Sequence, residues 1–315
     1  MSILILMVVQ MAFSPDTALP LPTAALYAKL TATAVFWGGT FVAGRALAGQ
    51  LDPLASATGR FGIAVLCLLV LTRCVEGGLP RLTLSQLGLT LGLGLTGVVS
   101  YNLFFFAALT EMPASRTALF VTFNPISVTV VMVVFGQERM TLRQVAGILV
   151  ALFGALVVIS KGDLLHVSMH FGRGEAYMCG AVLSWVGYTV IGRSAMRQLS
   201  ALAATTYAAL WGFAILAGAL LWSVYWSGHG PAPQGLRLDV AAALFYLAIG
   251  GTVVPFVWYS EGIRALGAGR AAVFNNLVPC AGVLLGFVIL SEPLTAAMLA
   301  GGGVVILGVA LTNRG

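Results

Sequence analysis

The residues that could do chemistry in this chain are few, and their types favour binding over bond-making. All three histidines, His166, His170 and His229, fall between apolar runs. No H-E-x-x-H sequence occurs and no pair of carboxylates lies deep in an apolar run, so a zinc hydrolase and an acid–base dyad both lack their residues. An enzyme is therefore not expected, nor is a metal or a cofactor. The apolar runs hold amides, hydroxyls and aromatic rings instead. Trp37 and Phe41 stand four apart, Trp185 and Tyr188 three apart, so each pair shares a helix face. Tyr101 and Phe105, and Trp258 and Tyr259, add further rings, while Asn102, Thr122, Asn275 and Asn276 add polar groups. These twelve are the candidate substrate-binding residues. Amides can meet the charged ends of a small solute, and rings its apolar body.

Two prolines suggest where they would act. Pro125 and Pro279 fall about ten residues into apolar runs. Each lacks an N–H and deprives the carbonyl four residues back, at Val121 or Asn275, of its helical donor. In hydrocarbon such a carbonyl must find a partner or line a wet cavity. A kink satisfied by neighbouring helices is the plainer reading, but matched breaks in two places favour a central site. Deep charge is limited to Arg60 and Glu261. Arg60 stands a turn or two inside its run and could snorkel to the surface; Glu261 could pair with Arg264 or take part in coupling. Several deep basic residues would suit a phosphate ester, and a deep carboxylate a cation. Neither pattern is clear, since Glu261 stands close to the cytoplasmic end of its run, so a neutral zwitterion fits best, its charges met by amides and freed carbonyls.

The elements that must position these residues follow from composition. The chain has 315 residues, 59% hydrophobic and 8% charged, with mean hydropathy +1.00, far from the charge content of a soluble domain. About 20 apolar residues span the hydrocarbon. Runs of that kind occur at 29–49, 53–74, 82–109, 114–136, 140–160, 174–195, 199–226, 238–263, 269–290 and 294–312. The expected fold is an all-α integral membrane protein of ten transmembrane helices.

The chain also repeats itself. Shifted by 154 residues, Arg116, Phe120, Pro125, Glu138, Thr141, Gly147 and Gly154 fall on Arg270, Phe274, Pro279, Glu292, Thr295, Gly301 and Gly308. Such a repeat must be read before any local motif. Its division is a tail at 1–27, a first five-helix repeat at 28–160, a connecting loop at 161–173 and a second repeat at 174–313. Five helices is an odd number, so the two halves enter the membrane from opposite sides as inverted repeats, the plan of secondary transporters. Residues 3–13 are apolar but too short to span and have no basic residues before them, a poor fit to a signal peptide. The tail is read as loosely ordered on the membrane surface.

The net charge of +6 comes from scattered single residues, which gives nucleic acid no platform. Assigning Lys29, Arg73, Arg81, Arg139, Arg143, Arg193, Arg197, Arg264, Arg270 and Arg314 to one side makes that side, with both termini, cytoplasmic. Gly92-Leu93-Gly94-Leu95-Thr96-Gly97 matches a dinucleotide fingerprint, but inside an apolar run its small residues serve helix packing. Glu138 and Glu292 read as helix-start caps. The four cysteines lack paired spacing and read as buried small hydrophobes. Trp222, Tyr225 and Trp226 read as interface anchors.

The duplicated Glu-x-x-Thr-x5-Gly-x6-Gly pattern with its upstream proline resembles the drug/metabolite transporter superfamily, over residues 28–313. More narrowly, the chain resembles the ten-helix EamA-type exporters, and among them the YddG-type exporters of aromatic and other neutral amino acids. That resemblance implies a cavity formed by helices 1, 3, 4, 6, 8 and 9, with 5 and 10 at the periphery. It also implies alternating access without ATP in the inner membrane. Glu261 departs from it, standing where such sequences often carry an uncharged residue. The expected cargo is a neutral, aromatic or hydrophobic amino acid, with drugs, nucleosides or another metabolite as the alternative. The other partner is membrane lipid, and a monomer is the working expectation.

Overall fold

The structure is a computed structural model and describes residues 23–48, 50–112, 114–136, 139–160, 162–163, 172–227, 237–290 and 295–313. They form helices, with no strand among them. We number these α1 (Thr23–Leu47), α2 (Pro53–Val75), α3 (Leu84–Glu111), α4 (Ala114–Val121 and Asn124–Val134), α5 (Leu142–Ile159) and α6 (Arg173–Ala195). They continue as α7 (Ala201–Ser227), α8 (Leu238–Leu266), α9 (Ala268–Val273, Phe274–Asn276 and Leu277–Leu290) and α10 (Ala296–Asn313). Residues 23–27, expected in the tail, belong to α1. The surface-lying tail, His166, His170 and His229, and Glu138 and Glu292 lie outside the described residues.

Helix starts follow the local chemistry. Asp52 accepts from the N–H groups of Leu54 and Ala55 at 2.9 Å and caps α2, with Pro53 where its missing N–H costs nothing. Thr141 opens α5 in a reciprocal box: its Oγ1 accepts from Gln144 N, and Gln144 Oε1 accepts from Thr141 N. Thr295 likewise accepts from Met298 N at 3.2 Å. The threonines three residues past the repeated glutamates are the caps the structure displays.

Among the described residues, four helices, α2, α3, α7 and α8, are long and apolar enough to cross a membrane. α1 and α6 are as long, at 25 and 23 residues, but spend inward positions on Thr33, Gly38, Gly39 and Thr40, and on Glu175, Tyr188 and Thr189. Their lower hydropathy reflects a polar interior. Outward faces are apolar, with Leu66, Val134, Leu183, Leu221 and Leu307 exposed, as suits lipid. Trp222, Tyr225 and Trp226 are exposed near the end of α7, where amphipathic rings favour the headgroup level. Two cysteines depart from expectation: Cys74 and Cys179 are exposed rather than buried, while Cys67 and Cys280 are half-buried.

Four helices are interrupted. α3 has a π-helical segment at Gly94–Ser100 and α8 another at Ile249–Val253. α4 breaks at 122–123, just before Pro125, and α9 tightens to a 3-10 turn at Phe274–Asn276, just before Pro279. Both pairs fall at nearly the repeat spacing.

Without a hydrophobic drive between helices in lipid, close backbone approach holds them together. Glycines at the repeated positions supply it. A Cβ on Gly154 would lie 2.6 Å from Val305 N and 2.7 Å from Gly301 O, and one on Gly308 2.3 Å from Ala151 N. These pack α5 on α10. A Cβ on Gly38 would likewise lie 2.7 Å from Gly282 N, across α1 and α9. The fingerprint-like glycines pack too: a Cβ on Gly94 would meet Ala208 O, and one on Gly97 the ring of Tyr188.

One end of the bundle is basic. Arg139, Arg193, Arg197, Arg264 and Arg270, all from the set assigned to one side, line a single cavity there. Glu261 pairs with Lys29 at 2.8 Å, tying the end of α8 to the start of α1. The sequence suggested Arg264 as the partner of Glu261; the ion pair the structure displays is the one to Lys29, from the neighbouring helix.

Replacing Gly154 by leucine should force backbone atoms of α5 and α10 apart and cost about 1–3 kcal/mol. Gly303→Ala, in open space, should be neutral. Thermal unfolding of the purified proteins in detergent measures both, and equal midpoints for Gly154→Leu and wild type would contradict this packing.

Candidate functional site

The helix interruptions converge on one polar centre. Arg60, two turns into α2, is only 3% exposed. Its Nε donates to Thr252 Oγ1 at 2.7 Å, Nη1 to Asn102 Oδ1 at 2.8 Å and Nη2 to the Gly251 carbonyl at 2.7 Å. All three partners sit in or just after a π segment. The Gly251 carbonyl is available because Pro255, four residues on, has no N–H to give it; it also accepts from Trp37 Nε1 at 3.2 Å. Asn102 is aimed by its own Nδ2, which donates to the carbonyls of Gly97 and Val98 in the widened stretch of α3. Arg60 therefore does not snorkel. It is a buried cation held by neutral dipoles.

Around it stands an aromatic cage. The Trp37 ring centroid lies 5.1 Å from Trp185, edge-on, and 5.3 Å from Tyr259. Tyr101 lies 5.0 Å from Trp185 and stacks on Phe105 at 5.8 Å; Phe41 meets Phe105 edge-on at 5.5 Å. Phe256 lies 5.6 Å from both Trp185 and Tyr188. Tyr188 and Tyr259 form a backing layer. Tyr188 stacks on Trp185 at 5.0 Å with its hydroxyl toward Ser260, and the Tyr259 hydroxyl pairs with Thr189 at 3.2 Å.

The space enclosed is about 30 Å3, lined by Trp37, Thr40, Phe41, Arg60, Tyr101, Phe105, Val121, Asn124, Trp185, Phe256, Asn275 and Val278. That holds roughly a water molecule or two, so a larger guest requires the helices to part. Three atoms of the lining residues are buried without a hydrogen-bond partner: Asn124 Oδ1, Asn275 Nδ2 and Trp185 Nε1. The Tyr259 hydroxyl makes loose side-chain hydrogen-bond contacts with Trp185 and Asn275, too poorly placed to satisfy either atom. Buried polar groups in native proteins are nearly always satisfied, so each exception calls for a reason.

Trp37, Phe41, Tyr101, Phe105, Trp185 and Asn275 of the expected set thus line the centre, and Tyr188 and Tyr259 back it. Asn102 acts one step away, through Arg60. Thr122 is buried beside the α4 break but does not line the space, and Asn276 is buried with both side-chain atoms unpartnered, also outside the lining. Trp258 points elsewhere, 6.3 Å from Phe36 and beside Lys29. The Asn275 carbonyl is not the free acceptor expected, since Leu277 N–H donates to it and to the Phe274 carbonyl in the tightened turn. Its side-chain amide is the orphan instead. Arg60, Phe256, Gly251 and Thr252 were missed. The proline rule applied to Pro125 and Pro279 would have pointed to Gly251 from Pro255. The lining draws on α2 as well as on the six helices expected.

Asn102→Leu removes one acceptor from a buried cation, and hydrogen bonds to charged groups contribute about 1.5–3 kcal/mol each. A thermal midpoint unchanged from wild type in this variant would show that Arg60 does not depend on Asn102.

Comparison with known proteins bears on the family and the fold. The EamA-like transporter family matches residues 24–160 and 172–314. The chain is 27% identical over 292 residues to the uncharacterized transporter YyaM of Bacillus subtilis, covering 92% of this chain and 93% of that one. It is 25% identical over 285 residues to a probable terminal-alkyne amino-acid exporter of Streptantibioticus cattleyicolor, covering 90% and 92%. A solved crystal structure matches with TM-score 0.74 at 19% identity, over 92% of this chain and 97% of its own, a likeness of fold alone. With the family covering nearly the whole described chain, this multi-pass membrane protein belongs to the EamA-like transporter family.

Proposed function

We propose that this protein is a secondary transporter that exports or exchanges neutral amino acids with aromatic or hydrophobic side chains. On this reading the two five-helix repeats, 28–160 and 174–313, are inverted. They rock about the centre to expose it alternately to each side of the inner membrane. Both termini are cytoplasmic, on the side of the arginine-lined cavity.

The carrying observation is the centre itself: an aromatic cage from helices of both repeats whose buried Asn124, Asn275 and Trp185 atoms lack partners. Rings suit an apolar side chain, and unpaired donors and acceptors suit the polar end of an amino acid. The cargo named for the Streptantibioticus relative, an amino acid, supports the same class. Glu261, paired with Lys29 at the end of α8, stays a candidate for coupling.

Counterflow in liposomes tests this. Purified protein should exchange a labelled aromatic amino acid saturably, and unlabelled neutral amino acids should compete. Asn275→Ala and Trp37→Ala should each lower exchange on the order of tenfold, the effect of losing about 1.4 kcal/mol of binding. Undiminished exchange in both variants would remove the proposed site. A cargo spectrum of drugs or nucleosides without amino acids would redirect the search within transport.

A further inference from the structure

We infer that Arg60 is the carboxylate-recognition residue of the central site, so that a carboxylate is an obligatory feature of the cargo. The inference rests on the proposal above that the centre is where cargo binds.

A charged side chain in the membrane interior is costly and almost always paired. Arg60 has no carboxylate partner among the described residues; its contacts are a hydroxyl, an amide oxygen and a backbone carbonyl. Those dipoles orient the guanidinium without neutralising it. A guanidinium carries five N–H donors, and three hydrogen bonds are formed, which leaves two for a guest. The lining of the central space includes Arg60 itself. Its planar fork matches a carboxylate in two parallel bonds.

A second observation points to the same guest. Asn275 Nδ2 and Trp185 Nε1 are unpartnered donors in the same lining, and Asn124 Oδ1 is an unpartnered acceptor. Donors beside a cation complete the shell of an anionic group, while the acceptor suits an ammonium. Trp185 Nε1 remains a donor whichever way the two amides are turned, and each amide brings one donor group and one acceptor. The expectation of amides and carbonyls alone left the cargo's negative end without a counter-charge; Arg60 supplies it.

The test is a competition panel on wild-type protein in liposomes, followed by Arg60→Lys. The panel compares phenylalanine with phenylalaninol and phenylalaninamide, which lack the carboxylate. It also includes 3-phenylpropionate and biotin, carboxylates that are not α-amino acids, and a nucleoside. Competition by carboxylate compounds, with phenylalaninol and phenylalaninamide weaker on the order of tenfold or more, supports the assignment. Equal competition by phenylalanine and phenylalaninol overturns it while leaving amino-acid transport standing. Exchange of 3-phenylpropionate or biotin without any amino acid retains Arg60's role and overturns the amino-acid reading. Exchange confined to the nucleoside overturns both.

Arg60→Lys keeps the charge and loses the fork. It should raise KM for carboxylates roughly tenfold with a smaller change in kcat, and narrow the gap between phenylalanine and phenylalaninol. An unchanged gap in a folded Arg60→Lys protein contradicts the inference. The wild-type panel decides the matter without any variant.

Discussion

A guanidinium sealed in the middle of a membrane bundle needs acceptors, and regular helices offer only the second lone pair of carbonyls already bonded. Every carbonyl in an unbroken α-helix is already committed to the N–H four residues on. The arrangement around Arg60 solves this by opening two helices where it needs them. In α8 the π segment and Pro255 release the Gly251 carbonyl and turn Thr252 to the same place. In α3 the π segment ends just before Asn102, whose Nδ2 takes up the Gly97 and Val98 carbonyls and whose Oδ1 is thereby left for Arg60. One cation from α2 fastens both irregular helices. Removing a partner from such a charge costs more than the pair contributes over an apolar replacement, which makes this network a constraint on α2, α3 and α8 together.

The periphery obeys a different rule. α5 and α10 meet through Gly147, Gly154, Gly301 and Gly308 at backbone distance, with no charge involved. Packing of this kind is rigid, because backbone atoms cannot move aside as a side chain can. The centre is the reverse: side chains meet edge-on or stacked, about 5–6 Å between ring centroids, the ordinary geometry for aromatic pairs. Rings can slide and part without breaking a backbone contact. On the reading proposed here, a stiff pair of outer helices around a centre that can part suits the rocking of the two halves.

Much of this was legible in the chain. Ten apolar runs mark the helices because hydrocarbon thickness sets their length, and Pro125 and Pro279 mark breaks because proline has no N–H. Trp37, Phe41, Tyr101, Phe105 and Trp185 could be placed at the centre because a shared helix face is a matter of spacing. What was not legible depends on partners distant in sequence. Arg60 read as a snorkelling residue since nothing near it in the chain announces acceptors; its partners lie 42, 191 and 192 residues away. Glu261 and Lys29 are 232 apart. Trp258 and Tyr259, adjacent in the chain, necessarily face different ways on a helix, and sequence could not say which of them turns inward. The π segments leave no periodic trace over so few residues.

The unpartnered atoms at the centre explain why the site need not be large when empty. Leaving a buried donor or acceptor unsatisfied costs about 1–3 kcal/mol, and Asn124, Asn275 and Trp185 each contribute one such atom. Folding alone would favour apolar residues there, as it does along α5 and α10. On the reading proposed here, a cargo with a carboxylate and an ammonium supplies the missing partners, and its binding energy includes the relief of that cost. The empty centre then closes on unmet polar groups and the loaded one on satisfied ones, so the cargo favours passage through the closed state. Exchange of one cargo molecule for another is accordingly easier than return of the empty protein, which links the chemistry of three buried side chains to the mode of transport.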